Sequence, residues 1–288
     1  MRKVWRGPIE PGHEIQYNQP MTTQAEKGAV FRALHERDTA FIIPNPYDAG
    51  TAKLLAHLGF EALATTSAGY AFTLGKPDNR VGRDAMLKHV AEIVRAADLP
   101  VSADLENGFG DDPETVADTV RMAAEAGLAG CSIEDMAKNG TIYEFEHAAE
   151  RVRAAADAAK SLPFTFTLTA RCENFLVGGA DIEDTIRRLQ AYQQAGADVL
   201  YAPGLRTVEE VRSVIESVDK PVNVLPGPDM TFEELSAIGV KRISVGSGLS
   251  RVALGAFMRA AQNMKETGIF DFGENAAGFG ELTRIFGE

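Results

Sequence analysis

Apolar segments of two kinds alternate along the chain, and glycines separate them at regular places. Four helix-like segments end in an apolar-Gly-apolar triplet, with the glycine at Gly59, Gly127, Gly196 and Gly239. Glycine is typical of the position where a helix ends in the left-handed conformation. Short apolar runs follow these triplets, and others follow Leu-Pro or Lys-Pro breaks. Together they predict eight strands, at residues 41–44, 62–67, 100–106, 130–135, 164–171, 198–203, 221–225 and 242–247.

The segments between these strands carry helix start signals. Asp112-Pro113 predicts a helix N-terminus, and Asp181 predicts the cap of a helix over residues 182–195. Three threonines precede a glutamate by three residues, the pattern of a capping box: Thr23, Thr207 and Thr231. Eight strands alternating with helices predict an α/β fold, a parallel (β/α)8 TIM barrel with an extra N-terminal helix. The alternative, an open doubly wound sheet, is disfavoured because no Gly-x-Gly-x-x-Gly turn follows the first strand.

Composition places this barrel among ordinary globular proteins, with 45% hydrophobic and 24% charged residues. Residues 1–21 are polar and interrupted by Pro and Gly, which predicts a flexible N-terminal arm, although Met21 as the true start stays open. Residues 22–288 are predicted to form one barrel domain with a C-terminal helical tail. A net charge of −12 disfavours nucleic acid and anionic membranes as partners. No apolar run or signal sequence indicates membrane insertion or secretion, and Cys131 and Cys172 in apolar runs favour a reducing cytoplasm.

The candidate chemistry begins at the end of the third predicted strand. Asp104 and Glu106 are followed there by Asn107-Gly108, which a strand would not continue through. Side chains alternate along a strand, so the two carboxylates are predicted to point the same way. Neighbouring carboxylates repel each other, and a cation is the simplest compensation. For an isolated motif of this kind, a solvated loop edge is the alternative.

Other polar residues fall at the predicted strand ends, where barrel active sites form. They are Ser67, Glu134, Asp135, Arg171, Glu173, Asn223 and Ser247, with Asp78 in the loop after the second strand. No histidine falls at a strand end, so zinc or a histidine base is disfavoured. An all-oxygen acidic cluster suits Mg²⁺, or Mn²⁺. Arg171 matches a substrate carboxylate, with a salt bridge to Glu173 or Asp104 as the alternative. For Ser67 the alternative is an ordinary polar loop residue.

Taken together, these residues resemble the isocitrate lyase/phosphoenolpyruvate mutase superfamily over about residues 41–261. The resemblance rests on six segments: Thr66–Gly69, Gly75–Asp78, Ala103–Gly110, Ser132–Asp135, Thr169–Arg171 and Tyr192–Asp198. It implies that Asp104 ligates Mg²⁺ and that water links the metal to Asp78, Glu106 and Glu134. It also implies that Arg171 binds the substrate and stabilises an enolate, with Glu134 and Lys138 as further catalytic residues. The implied substrate-binding set is Tyr47, Ser67, Ala68, Gly69, Arg171 and Asn223.

Members of this superfamily break or form C–C or P–C bonds of 2-oxo and 2-hydroxy acids through a Mg²⁺-bound enolate. They are typically homotetramers whose subunits exchange the eighth helix. The resemblance therefore implies a small carboxylate substrate and an exchanged helix at residues 252–264, followed by a tail that reaches Phe286.

The loop after the fourth strand departs from the superfamily. Lyases carry a Lys-Lys/Arg-Cys-Gly-His motif there, with Cys as the general acid, whereas residues 136–143 contain no Cys. Mutases have a longer Lys-x-Asn loop, whereas Lys138 and Asn139 are adjacent; Pro203 replaces a His or Glu expected near the sixth strand's end. We therefore expect a Mg²⁺-dependent lyase that decarboxylates or cleaves a small 2-oxo acid.

Two alternatives to this lyase stay open. One is a phosphonopyruvate hydrolase or mutase, in which Lys138, Asn139 or Thr141 approaches the phosphonyl group. The other is a barrel that binds 2-oxo acids without turning them over. The group that handles the proton is also undecided among Tyr47, Tyr201, Lys138 and a metal-bound water.

Overall fold

All eight predicted strands are present in the computed structural model, which describes residues 22–179 and 181–287; the predicted arm at residues 1–21 lies outside the described residues. The strands are β1 (Phe41–Ile43), β2 (Leu63–Ala64), β3 (Val101–Asp104), β4 (Gly130–Glu134), β5 (Thr167–Arg171), β6 (Val199–Tyr201), β7 (Val222–Val224) and β8 (Arg242–Ser244). They pair in parallel in the order β1-β8-β7-β6-β5-β4-β3-β2.

The side chain of Asn45 helps to close this sheet into a barrel where β1 meets β2. The Ala64 amide donates a hydrogen bond of 3.0 Å to the Pro44 carbonyl across the seam. Asn45 Nδ2 donates to the Thr65 carbonyl at 2.9 Å, and its Oδ1 accepts from the Val245 amide at 2.8 Å. The eight strands therefore form a nearly closed (β/α)8 TIM barrel, as the sequence predicts.

Helices surround the strands. They are α1 (Gln24–Glu36), α2 (Ala49–His57), α3 (Ser67–Thr73), α4 (Arg83–Ala96), α5 (Pro113–Glu125), α6 (Phe145–Lys160), α7 (Asn174–Val177), α8 (Ile182–Ala195), α9 (Val208–Glu216), α10 (Phe232–Ala237), α11 (Gly248–Thr267) and α12 (Phe279–Gly287), with a 3-10 turn at Asp271–Asn275. The three predicted capping boxes, the caps at Asp112 and Asp181, and the positive φ of all four triplet glycines are confirmed.

The predicted strand 100–106 ends two residues early, at Asp104. Glu106 adopts φ 50°, Gly108 φ 77° and Phe109 φ 61°, so the chain turns sharply after Leu105. The strand alternation used to place Glu106 on the same face as Asp104 is therefore wrong, because the chain is no longer extended at Glu106.

Helix α1 covers the amino end of the barrel. Phe31 packs edge to face against Phe41, and both are buried. Gly28 allows α1 to approach closely, since a Cβ there would lie 2.1 Å from the Thr165 carbonyl oxygen. The predicted extra helix is thus part of the barrel's packing.

Helix α11 contains the predicted residues 252–264 and leaves an apolar face in solvent. Val252, Phe257 and Met258 are 68%, 72% and 68% exposed. Exposed apolar clusters of this kind commonly mark sites of protein association. Both cysteines are buried, as predicted. Within the described ranges, none of the helices combines the length and apolar character needed to cross a membrane.

Candidate active site

A cavity of about 360 Å³ opens at the carboxyl ends of the strands. Seven residues of the predicted catalytic, metal and substrate sets line it: Ser67, Ala68, Asp78, Asp104, Glu134, Arg171 and Asn223. Glu173 and Ser247, predicted at strand ends, also line it. Four others do not: Tyr47, Gly69, Glu106 and Lys138. Glu106 and Lys138 instead border a neighbouring cleft beside the turn that follows β3.

Arg171, the last residue of β5, lies at the centre of this cavity. Its Nη1 is 2.9 Å from Asp104 Oδ1, at the end of β3, and its Nη2 is 3.1 Å from Glu134 Oε2, at the end of β4. Its Nε is 2.9 Å from Glu173 Oε1. The salt bridges to Glu173 and Asp104, considered above as an alternative, are both present. Asp104, Glu134 and Arg171 meet because the three neighbouring parallel strands β3, β4 and β5 end side by side.

Three carboxylates around one guanidinium leave an excess of negative charge in a buried place. Glu134 is 6% exposed and Glu173 is 1% exposed. Burial raises the pKa of Glu134 well above its ordinary value and also raises that of Glu173, although Arg171 opposes both shifts. Burial alone would lower the pKa of Arg171, but the surrounding carboxylates raise it. The site therefore holds one fixed cation among acids that favour a further positive charge.

Ser67 anchors the second oxygen of Asp104. The Ser67 amide donates to Asp104 Oδ2 at 3.1 Å, and its hydroxyl donates to the same oxygen at 2.9 Å. Ser67 begins α3, where Thr66 is the N-cap and accepts from the Gly69 amide. The donors predicted to bind a substrate carboxylate thus lie within hydrogen-bond distance of a carboxylate of the protein.

Glu106 is a buried acid with an incomplete set of partners. Its Oε1 has no hydrogen-bond partner among the described residues. Burial, with contributions from Asp104 and Asp78, raises its pKa to about 8, and the Lys138 charge opposes this. A buried carboxylate oxygen without a donor is unfavourable unless a cation or an ordered water lies beside it.

This donor set fits a hard divalent cation. All the candidate ligands are carboxylate oxygens, and Glu106 contributes an oxygen that nothing in the described chain satisfies. In residues 22–179 and 181–287, no three His, Cys, Asp or Glu side chains converge on one point as a ready-made cage. Mg²⁺ suits such a site, since it keeps several waters and takes only one or two carboxylates directly.

Asn223 and Arg242 form the floor of the cavity. Arg242 Nε donates to Asn223 Oδ1 at 2.8 Å, and Arg242 Nη2 donates to Thr169 Oγ1 at 3.0 Å. Asn223 Nδ2 in turn donates to Ser244 Oγ at 2.9 Å. The Asn223 amide is therefore oriented by its neighbours, and burial lowers the pKa of Arg242 to about 10.

Asp135 points away from the cavity, toward α8. Its Oδ2 accepts from the Tyr192 hydroxyl at 2.5 Å and lies 3.5 Å from Arg188 Nη1, while its Oδ1 accepts from the Glu173 amide at 2.8 Å. Of the Glu134-Asp135 pair, only Glu134 lines the cavity. Asp135 supports the segment that carries Glu173.

The loop after β4 is a short hairpin. Met136 pairs with Ile142, and the Ala137 amide donates to the Thr141 carbonyl at 2.7 Å. Met136 borders the cavity, whereas Lys138 is exposed and borders the neighbouring cleft. No thiol lies in this loop to serve as a general acid.

Sequence reasoning missed the part that Arg242 and Asn45 play in this cavity. Both line it, and both are held by long-range hydrogen bonds. Arg242 begins β8, so no strand-end signal marks it, whereas Asn45 lies just after the carboxyl end of β1, where that signal could have found it. Tyr201, proposed only as a proton carrier, is buried below Arg171, and burial raises its pKa to about 12.

The geometry agrees with the comparisons to known proteins. Residues 31–265 match the family model described as phosphoenolpyruvate phosphomutase. The chain belongs to the isocitrate lyase/phosphoenolpyruvate mutase superfamily. The 2-methylisocitrate lyase of Escherichia coli is 32% identical over 205 residues, which cover 68% of each chain.

Two solved structures are similar to this chain over 92% of its length. A Burkholderia cenocepacia protein provisionally assigned as a lyase or mutase is 58% identical, with a TM-score of 0.90 over 92% of this chain and 98% of that one. Oxaloacetate acetylhydrolase, solved with its product oxalate, is 26% identical, with a TM-score of 0.82 over 92% of this chain and 94% of that one. Superfamily membership and these relatives support an enzyme of the lyase class.

Proposed function

We propose that this protein is a Mg²⁺-dependent carbon–carbon lyase that acts on a small 2-oxo or 2-hydroxy acid. The observation that carries the proposal is Arg171, buried at the carboxyl ends of the strands and contacted by Asp104, Glu134 and Glu173. A fixed cation beside clustered acids can bind an anionic substrate and a divalent cation together.

The residues divide between metal and substrate. Asp104 would hold Mg²⁺ directly, and Asp78, Glu106 and Glu134 would hold its water shell. When bound, Mg²⁺ would supply a Lewis acid for the substrate's 2-oxo group. Its charge would also compensate the excess of carboxylates around Arg171.

Arg171 would bind the substrate and stabilise negative charge on its enolate oxygen, because its guanidinium is held in place before the reaction. Ser67 and Ala68, which line the cavity at the start of α3, would bind a substrate carboxylate. Asn223, which lines the same cavity, completes the proposed substrate set, whereas Tyr47 lies outside this cavity. Loss of CO₂ makes a small demand on a general acid, which suits a loop without Cys.

The test is a panel of 2-oxo and 2-hydroxy acids, oxaloacetate first, with purified protein and Mg²⁺. We expect turnover that EDTA removes and that Asp104→Ala abolishes. The matched control is Asp118→Ala, which changes an exposed aspartate on α5. Equal turnover by Asp104→Ala, or after EDTA treatment, would rule the proposal out.

The same panel separates the two alternatives. Phosphonopyruvate turnover followed by ³¹P NMR would favour P–C bond chemistry, with Lys138 or Asn139 approaching the phosphonyl group. Mg²⁺-dependent binding of oxalate in a calorimeter, without turnover of any acid, would favour a non-catalytic barrel.

We also propose that the protein works as a homo-oligomer, with a tetramer as the expected state. The exposed apolar face of α11, which includes Val252 and Phe257, supports association with another copy. Light scattering measures the mass directly. A monomer at micromolar concentration would contradict this proposal and leave the proposed chemistry untouched.

A further inference from the structure

The turn after β3 has an unfavourable backbone. Glu106 and Phe109 have φ angles of 50° and 61°, a region that side chains with a Cβ avoid, and Gly108 lies between them at φ 77°. Non-glycine residues persist in this region only where their surroundings hold them in place. Glu106, whose Oε1 has no hydrogen-bond partner among the described residues, lies in this strained turn. Contacts from other parts of the protein must therefore hold the turn in place.

Arg151 of α6 contacts this turn from below. Its Nη1 donates to the Gly110 and Asp111 carbonyls at 2.7 and 2.6 Å, and its Nη2 donates to the Asn107 carbonyl. Arg151 is 1% exposed and forms no ion pair among the described residues. Because this buried guanidinium donates hydrogen bonds to three carbonyls of one turn, it fixes the backbone path of that turn.

Tyr143 joins the same cluster from the hairpin after β4. The Arg151 guanidinium lies 4.2 Å from the centre of its ring. Its hydroxyl donates to Asp111 and accepts from Asn107 Nδ2 at 2.9 Å. Asn107 Oδ1 also accepts from the Phe109 amide at 3.0 Å, which closes the turn on itself. The turn is thus held on two sides.

We propose that Arg151 is a positioning residue for the metal: through the three carbonyls it holds the turn in the conformation that presents Glu106 to the bound cation. The inference rests on the proposed function, since it needs a cation beside Glu106. Lysine cannot replace arginine in this role, because an ammonium cannot span three carbonyls with a planar fork.

The test measures Mn²⁺ binding by electron paramagnetic resonance, which needs no turnover. We compare the metal-free wild type, Arg151→Lys and Arg153→Lys; Arg153 is exposed on the same helix. We expect Arg151→Lys to weaken binding about tenfold, as for other residues that orient metal ligands, and Arg153→Lys to bind as the wild type does. Thermal unfolding followed by circular dichroism checks that all variants are folded at the binding temperature.

A double-mutant cycle with Glu106→Gln shows whether Arg151 acts through Glu106. A purely structural role predicts that the two effects add, whereas the proposal predicts that Arg151→Lys has little further effect once Glu106 is neutral. Unchanged binding by Arg151→Lys, or additive effects, would overturn the inference alone. No Mn²⁺ binding by the wild type would overturn the proposed function and the inference with it.

If Arg151→Lys does not fold, Tyr143→Phe decides the question. It removes only the hydroxyl that contacts Asp111 and Asn107, and a phenylalanine ring fills the same space. We expect Mn²⁺ binding about threefold weaker, a smaller loss than for Arg151→Lys because the Arg151 contacts to the turn remain. Binding equal to that of the wild type would count against the proposal.

Discussion

Two arginines that line the cavity, Arg171 near the carboxyl end of the barrel and Arg242 near its amino end, have opposite surroundings. Arg171 at the end of β5 is contacted by three carboxylates, whereas Arg242 at the start of β8 contacts neutral groups: Asn223, Thr169 and His35. No ion pair of Arg242 is present in the part of the chain that the structure describes. Carboxylates place one guanidinium in a charged cluster, while neutral partners place the other in the uncharged floor of the cavity.

The largest expected effect comes from removing the charge of the first arginine. Arg171→Gln should lower turnover of the 2-oxo acid about 10³-fold, because the developing negative charge loses its fixed donor. Steady-state kinetics measures this, with Arg187→Gln, an exposed arginine on α8, as the control. A folded Arg171→Gln protein with near wild-type kcat would remove Arg171 from the chemistry.

The second arginine should affect folding more than turnover. Arg242→Met should lower the free energy of unfolding by about 3 kcal/mol, since Asn223 Oδ1 and Thr169 Oγ1 lose their donors. Urea titration measures this, and the exposed Arg95→Met is the control. A loss of kcat as large as that of Arg171→Gln, with unchanged stability, would show that the two arginines share one role.

His35, which lies beside Arg242, should make the stability of the folded protein depend on pH. Burial, and then the nearby charge of Arg242, lowers its pKa to about 3 from 6.5, so it is neutral in the folded protein. As pH falls, His35 binds a proton in the unfolded chain before it does so in the folded protein. The stability that neutral His35 contributes is therefore intact above about pH 6.5 and is lost as pH falls toward 3. Between about pH 7.5 and pH 5 the loss should be about 2 kcal/mol.

Urea titrations of the wild type and His35→Gln at these two pH values isolate the histidine. Between the two pH values, the free energy of unfolding of His35→Gln should fall by about 2 kcal/mol less than that of the wild type, whatever its absolute stability. An equal loss in both proteins would mean that His35 is charged or exposed in the folded state.

The smallest expected effect comes from one carboxylate beside Arg171. Glu173→Gln keeps an oxygen that can accept from Arg171 Nε but removes a charge, so kcat should fall about tenfold because a weaker neutral hydrogen bond then holds the guanidinium. The exposed Glu183→Gln on α8 is the control. A change in KM alone would indicate that Glu173 acts on substrate binding instead.

Local signals explain why the barrel could be predicted from the sequence. The capping boxes and the triplet glycines each specify a backbone conformation within a few residues, as at Thr207 and Gly196. The eight strands follow from these boundaries. Strand length was overestimated where polar turns begin, as at Glu106, because a left-handed residue with a side chain leaves no sequence signal of its own.

Only the site residues that lie at the carboxyl ends of strands could be predicted from the sequence. Arg171, Asp104 and Glu134 end three adjacent strands, so their meeting follows from the topology. Arg151 and Arg242 could not be predicted, because their partners lie 40 or more residues away in one case and 19 or more in the other. Such contacts depend on how helices pack on the barrel.

Cys131 in β4 and Cys172 directly after β5 are both fully buried. Burial also raises their thiol pKa values, which keeps the reactive thiolate scarce. A thiol reagent can therefore reach them only when these neighbouring strands separate. The rate of thiol labelling would then report how often the barrel opens under native conditions, with or without substrate, and with no added probe.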